Sequence, residues 1–371
     1  MLHEVKDKIQ KQAQELWEKN NYKGLVALCT GAGKSKIFVN ITVSYHKEKW
    51  LLVVPTEKLR DENWMDEFKK WKHLKRFKTI DRACYASLNK LDLSKYDGIC
   101  LDECHNITMN NSEFLIDFKG KLLCLTATPP NDDEKKEILY NKLGCKVILK
   151  ISLDEGVKLG IVSPYKITVI EGYLDDTKKT IETGGGDKKW LSTEFAIYQY
   201  KSRNITKMRF SGKPVPKFMY LDRMRFIYNL PSKTENAKKV LSKIDKDERT
   251  ILFCGSIEQA EKLCENTWHS KSKIDTLSLF KKKKINQLAT VKIINEGENI
   301  PDVDNILIVQ LDSNALNLIQ RIGRAVRLRE GHVANIFILT TMQTQDESWV
   351  EKALENFDRN NINYVSIKNY D

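Results

Sequence analysis

The hexapeptide Thr30-Gly31-Ala32-Gly33-Lys34-Ser35 follows an apolar run at 24–29 and opens a segment of helical periodicity at 34–46. A strand, a glycine-bearing loop and a helix N-terminus surround a phosphate with backbone N–H groups and the positive end of the helix dipole. Lys34 then serves as a point charge, and the Ser35 hydroxyl is placed for Mg²⁺. About 70 residues further on, the apolar strand DGICLDECH (97–105) ends in Asp102, Glu103, Cys104 and His105. Two adjacent carboxylates at the C-terminal edge of a parallel strand stand where such sheets bind ligands. One can hold Mg²⁺ through its water while the other orients and deprotonates an attacking water. Towards the C-terminus, QRIGRAVR (320–327) spaces Arg321, Arg324 and Arg327 every three positions. On a helix they share roughly one face and can neutralise charge developing on a γ-phosphate.

These groups need elements that aim them. From residue 24 to about 150, β-rich runs at 24–29, 50–55, 97–103, 121–127 and 146–150 alternate with helical segments at 34–46, 57–71 and 132–142. Such alternation predicts a parallel sheet covered on both faces. A second series starts near 233, with strands at 249–254, KIDTLSL (273–279), 288–294, 304–311 and 333–339, and helices at 234–244, 256–266 and 314–322. Two α/β domains follow, at 1–150 and 233–371, the second with a C-terminal helix, and a linker and accessory insertion lies at 151–232. Residues 161–232 carry 13 Lys/Arg against 7 Asp/Glu and hold 11 of the 33 aromatic residues. The insertion reads as basic, aromatic-rich and helical, with Gly184-Gly185-Gly186 as a flexible loop. Its stretch 201–228 has eight basic residues, one acidic residue and interleaved aromatics, a composition that suits a single strand or a junction, or the core of a small helical bundle.

Composition narrows the class. The chain has 371 residues with 62 Lys/Arg against 50 Asp/Glu, a net charge of +12, and 41% apolar residues. It can bury a core, so collagen-like and disordered readings are excluded. No stretch nears the ~18 apolar residues of a membrane span, and the charged amphipathic N-terminus is not a signal peptide. A soluble intracellular protein, in cytoplasm or nucleus, without membrane attachment is expected. The eight cysteines mostly sit in apolar runs and read as reduced core thiols rather than zinc ligands, because no second cysteine pair stands at ligand spacing.

Taken in order, the motifs resemble those of the superfamily 2 helicases and translocases of the DEAD/DEAH-box type. TGAGKS resembles motif I, VVPTEKLRDENW (53–64) motif Ia, and CYASL (84–88) the segment that contacts nucleic-acid backbone before motif II. DECH resembles motif II, TATPP (126–130) motif III, ILFCGSIEQAE (251–261) motif IV, INEGENIPDVDNILI (294–308) motif V, and QRIGRAVR motif VI. The similarity is greatest to restriction-enzyme motors, DNA-repair helicases, and compact viral and phage helicases acting in a host cell. The chain departs from the family pattern at Leu28 for Gly, Ser35 for Thr, Thr126 for Ser and Asn299 for Asp. None of these removes a catalytic group.

The resemblance implies two RecA-like P-loop domains with ATP and Mg²⁺ between them. Lys34 would contact the phosphates, Ser35 and Asp102 would hold Mg²⁺, and Glu103 would act as base. Arg324 and Arg327 would be arginine fingers, Gln320 and Arg321 would hold the contact network, and Gly297 and Glu298 would line the cleft. Gln10 matches the adenine-reading glutamine and Thr30 begins the phosphate loop. His105, Thr126 and Thr128 would couple nucleotide state to grip. Pro55, Thr56, Tyr85, Ser87 and Ser256 would contact nucleic-acid phosphates. The implied function is an ATP-dependent DNA helicase or translocase on single-stranded, duplex or forked DNA. RNA as substrate, an ATP-gated binding subunit that does not unwind, and a protein partner supplying specificity stand as alternatives or additions.

Overall fold

The computed structural model describes residues 2–185, 188–212, 214–272, 274–291, 303–311 and 328–370, together with Ile300, Leu318, Ile322 and Gly323. Two compact units form, with Met1–Ser163 as the body of the first and the chain from Pro164 onward as the body of the second.

In the first unit, near-continuous apolar runs become strands buried on both faces, as a sheet with helices on either side requires. The strands are β1 (Lys23–Leu28), β2 (Trp50–Val54), β3 (Asp81–Cys84), β4 (Gly98–Leu101), β5 (Lys121–Thr126) and β6 (Val147–Ile151). They pair in the order β3-β2-β4-β5-β1-β6, and all pairings are parallel. β2 and β4 are buried at every position. The amphipathic helix Leu2–Lys19 is fastened by Trp17, whose indole N–H donates to the Leu122 carbonyl at 3.0 Å. Leu25, Val53, Ile99, Leu101 and Leu122 build the core beneath the sheet's C-terminal edge.

The second unit is a seven-stranded parallel sheet of β7 (Tyr165–Gly172), β10 (Thr250–Phe253), β11 (Thr267–Trp268), β12 (Gln287–Thr290), β13 (Asn305–Ile308), β14 (Ala334–Thr341) and β15 (Ile362–Ser366). Its order is β11-β12-β10-β13-β14-β7-β15. Three expectations change here. β7 comes from the segment read as insertion, yet it pairs with β14 along its whole length and with β15 on its other side. KIDTLSL is not a strand: Thr276–Lys281 is a helix because the Asp275 carboxylate accepts the Ser278 N–H at 3.0 Å, an N-cap that outweighs the β-rich composition. Gly184 and Gly185 belong to a hairpin, β8 (Ile181–Gly185) with β9 (Lys188–Ser192), rather than to a free loop. Gly184 sits at φ +96, where a Cβ would meet the Lys188 carbonyl.

The rest of the insertion is two helices, Glu194–Phe210 and Lys217–Tyr228. They are fixed to the second sheet by a buried carboxylate. Glu194, 1% exposed, accepts the Asp175 N–H at 2.9 Å, the Ser232 N–H at 2.8 Å and the Ser232 hydroxyl at 2.6 Å. Ser232 lies in the first turn of helix Pro231–Leu241, where a negative charge is favoured.

Beside it, Lys233 is buried with its ammonium 2.5 Å from Asp346 Oδ2 and 2.8 Å from Gln310 Oε1, and Asp346 also accepts the Thr341 N–H at 2.8 Å. This pair joins a helix, the exit of β13 and helix Gln345–Leu354 at one point. Lys233→Met leaves the Asp346 charge buried and is expected to cost about 3–5 kcal/mol, whereas Lys233→Met with Asp346→Leu recovers most of that loss. Chemical denaturation of both variants checks this; equal losses in the two would count against it.

Candidate functional site

All the motif loops of the first unit leave the C-terminal ends of neighbouring strands. The loop 29–35 follows β1, 55–56 follows β2, 85–87 follows β3, 102–105 follows β4 and 126–130 follows β5. Because β5 lies between β1 and β4, TATPP separates the phosphate loop from the carboxylate pair. This is the edge at which open parallel sheets bind ligands.

The phosphate loop needs its glycines. Gly31 has φ +90 and Gly33, the residue before helix Lys34–Ser44, has φ +87, both in the left-handed region. A Cβ on Gly33 would come 2.4 Å from Gln10 Nε2. Gln10 is buried at 2% exposure, and its amide lies 3.5 and 3.4 Å from the Ala32 and Gly33 carbonyls. One helical turn away, the Lys6 ammonium donates to the Gly31 carbonyl at 2.8 Å. The N-terminal helix therefore holds the carbonyls of three successive loop residues, a role for Lys6 that the sequence reading missed. Thr30 stands half-buried at the start of the loop, Ala32 is fully buried, and Lys34 and Ser35 are half-buried in the first turn of the helix. Lys34 Nζ donates to the Leu28 carbonyl at 3.1 Å.

At the end of β4, Asp102 is 8% exposed. The Trp64 indole N–H donates to its Oδ2 at 2.9 Å and the Glu103 N–H to its Oδ1 at 3.0 Å. Burial, reinforced by the neighbouring Glu103 charge, pushes the Asp102 carboxyl up to about 7, against the opposing pull of Trp64 and Lys34. Trp64 is a functional residue that sequence reading missed, although a buried indole must find an acceptor. Glu103 has φ +46, an uncommon conformation for a residue with a Cβ, and its Oε2 is buried without a hydrogen bond. A buried aspartate beside an unsatisfied carboxylate oxygen is a hard-oxygen, negatively charged environment that fits Mg²⁺.

Motif II is joined to motif III. His105 Nδ1 lies 3.2 Å from Thr126 Oγ1 and 3.5 Å from Glu103 Oε2. Thr126, fully buried, donates its hydroxyl to the Thr128 carbonyl at 2.9 Å and accepts the Thr128 N–H at 3.2 Å.

The expected nucleic-acid contacts separate. Pro55, Thr56 and Ser87 are partly exposed at the sheet edge, with Thr56 Oγ1 accepting the Leu59 N–H at 3.3 Å. Tyr85 is a correction: it is 5% exposed and donates its hydroxyl to the Asp102 carbonyl at 2.9 Å, so its ring supports β4 instead of facing a ligand. In the second unit, Ser256 caps helix Ile257–Leu263 by accepting the Gln259 N–H at 3.3 Å. Gly297, Glu298, Gln320, Arg321, Arg324 and Arg327 lie outside the described residues.

The aromatics of the insertion also divide. Tyr228 is buried and packs edge-on against Trp349, whereas Tyr200, Phe210 and Phe218 are 66, 88 and 67% exposed. Part of the set is core, and part is available surface.

The raised Asp102 carboxyl has a consequence in the protein free of nucleotide and divalent ions. A carboxyl whose folded value lies above its unfolded value gives stability that is present below pH ~4 and lost as pH rises through ~7. Relative to wild type, the Asp102→Asn midpoint should therefore rise by about 3 °C between pH 5 and pH 8. Thermal melts across that range test it, and a constant difference would contradict the burial argument.

The model of the helicase conserved C-terminal domain matches residues 232–329, and that of the type III restriction enzyme res subunit matches residues 1–83. The DNA 3'-5' translocase XPB2 of Sulfurisphaera tokodaii is 24% identical over 91% of this chain and 83% of its own length. The ATP-dependent DNA helicase MPH1 of Saccharomyces cerevisiae is 32% identical over 30% of this chain, which is 11% of the yeast protein. Among solved structures, the Hef helicase domain of Pyrococcus furiosus matches 91% of this chain and 96% of its own, with a TM-score of 0.56 and 16% identity. The ATP-dependent type ISP restriction-modification enzyme LlaBIII bound to DNA matches 96% of this chain and 31% of its own, with a TM-score of 0.60 and 14% identity. With two parallel α/β units of this topology and the motifs in this order, the chain is similar to the superfamily 2 helicases of the DEAD/DEAH type, among them DNA-repair helicases and restriction motors.

Proposed function

We propose that the chain is an ATP-dependent DNA translocase or helicase. The observation that carries this is the phosphate loop and the Asp102-Glu103 pair opening on one sheet edge, with His105 reaching from the pair to Thr126 at 3.2 Å. In this reading, Lys34 meets the β and γ phosphates of ATP, and Gln10 and Thr30 stand where the rest of the nucleotide enters. Ser35 and Asp102 hold Mg²⁺, which when bound offsets phosphate charge. Glu103 takes the proton of the attacking water, its Oε2 being buried without a hydrogen bond and 3.5 Å from His105 Nδ1. By the motif resemblance, Gln320, Arg321, Arg324, Arg327, Gly297 and Glu298 are assigned to the same nucleotide chemistry.

The link from Glu103 through His105 to Thr126 and Thr128 lets a change at the γ-phosphate reach the loop after β5, the coupling that a motor needs. Pro55, Thr56, Ser87 and Ser256 serve as backbone contacts without sequence readout. The exposed Tyr200, Phe210 and Phe218 on a basic arm suit stacking on unpaired bases. DNA is favoured over RNA because a relative matching 91% of this chain is named a DNA translocase. Eight buried cysteines outside any disulfide agree with a reducing, intracellular compartment, and no described helix is long and apolar enough to cross a membrane.

Steady-state ATP hydrolysis by wild type and Lys34→Ala, with single-stranded, duplex or forked DNA or with RNA, tests the reading. DNA should stimulate the wild type, and the variant should lose roughly 100-fold or more. Stimulation by RNA alone would make the substrate RNA, and no hydrolysis under any condition would leave an ATP-gated binder.

A further inference from the structure

A second charged surface lies in the first unit, at the end of helix Lys34–Ser44 remote from the phosphate loop. The stretch 69–78, KKWKHLKRFK, has six Lys/Arg, one His and no carboxylate in ten residues. Its backbone is firmly built. Helix Trp64–Lys70 ends at Trp71, Lys72 takes φ +63, and the His73 N–H donates to the Phe68 carbonyl at 2.8 Å before the short turn Leu74–Phe77. Phe68 and Phe77 are buried with ring centroids 5.3 Å apart, which pins the turn from below and leaves Lys72, Lys75 and Lys78 exposed.

Structural duties account for some of these cations. Lys69 and Lys70 sit in the last helical turn, where positive charge is favoured, and Lys70 also lies 3.8 Å from Glu67. Arg76 spends its guanidinium on the carbonyls of His46, Tyr45 and Glu48 at 3.0, 3.3 and 2.9 Å, closing the end of helix Lys34–Ser44. Lys72, Lys75 and Lys78 have no such duty, and among the described residues none of them makes an ion pair. The nearby carboxylates are engaged elsewhere: Glu48 by Lys121 at 2.5 Å, and Glu67 by Lys70 and the Trp71 indole N–H. Lys72, Lys75, Arg76, His46 and His73 line a concavity of about 640 Å³ that holds no acidic residue. It lies at the entry to β2 and β3, the sheet edge opposite the motif loops.

We propose that Lys72, Lys75 and Lys78 form a second contact to the phosphate backbone of DNA, separate from the motif edge. The proposal rests on the DNA-motor reading above. Phosphates fit better than the carboxylates of an acidic protein. The free groups are all ammonium point charges, which suit repeated phosphates without sequence readout, while the one guanidinium fork that could grip a carboxylate is committed to backbone carbonyls. Such a contact holds duplex near the motor while the motif edge releases and rebinds.

Binding of duplex DNA by wild type and by Lys72→Gln/Lys75→Gln/Lys78→Gln, measured over a series of salt concentrations, tests this. Each phosphate contact contributes about 0.9 to the slope of log K against log salt, so the triple variant should show a slope shallower by about 2–3 and bind about tenfold or more weakly at low salt. DNA-free ATP hydrolysis and the melting midpoint should stay at wild-type values. A steep wild-type slope that the variant retains would overturn the proposal and leave a solvated face. Retained DNA slope with lost binding of polyglutamate would overturn it in favour of an acidic protein partner. Failure of the wild type itself to bind DNA would instead remove the motor reading on which the proposal stands.

Discussion

The buried carboxylate at the end of β4 is the constraint around which the first unit is arranged. Asp102 cannot be charged at 8% exposure unless hydrogen-bond donors and cations surround it. The protein gives it two donors, Trp64 and the Glu103 N–H, and only partial compensation, which is why burial still pushes it up to about 7. An anion held in incomplete balance is a binding site waiting for a cation. Its neighbours follow from the same requirement: Tyr85 lies beneath the strand and holds the Asp102 carbonyl, and Trp64, the first residue of helix Trp64–Lys70, reaches its side chain.

The phosphate loop solves the opposite problem. Apart from the Ala32 N–H, which donates to the Cys29 carbonyl at 3.2 Å, its N–H groups serve an anion, and its carbonyls need partners on the other side. Lys6 and Gln10, one helical turn apart, supply them. The helix Leu2–Lys19 is therefore part of the site even though it bears no motif glycine or catalytic carboxylate. Its anchorage by Trp17 to β5 ties the backing of the loop to the strand that carries Thr126.

What could be read from the sequence was what is local. TGAGKS and DECH keep their chemistry in consecutive residues, and the spacing of apolar runs gave β1, β2, β4, β5 and β6 close to their observed bounds. What depends on distant partners was hidden. β7 looked like linker because its partners, β14 and β15, lie more than 150 residues away in the chain. Trp64 and Asp102 meet across 38 residues, and Tyr85, whose position in CYASL suggested a surface contact, is buried by that same cluster. KIDTLSL failed differently: the apolar content suggested a strand, but a single aspartate cap sufficed to start a helix that buries Leu277 and Phe280 on one face.

The second unit shows why its polar interior is specific as well as stabilising. A core of apolar side chains could join helix Pro231–Leu241 to the exits of β13 and β14 in several registers. Lys233 can satisfy Asp346 and Gln310 together in only one, because each partner sits on a different element. The same helix start receives Glu194, so the arm that carries Tyr200, Phe210 and Phe218 is registered against the sheet by charge rather than by packing alone. Gln345 extends this bond network outward, its N–H to the Tyr198 hydroxyl at 2.9 Å and its side chain to Arg223 at 3.1 Å. An arm held in this way is fixed in orientation against the second sheet by bonds at both of its helices.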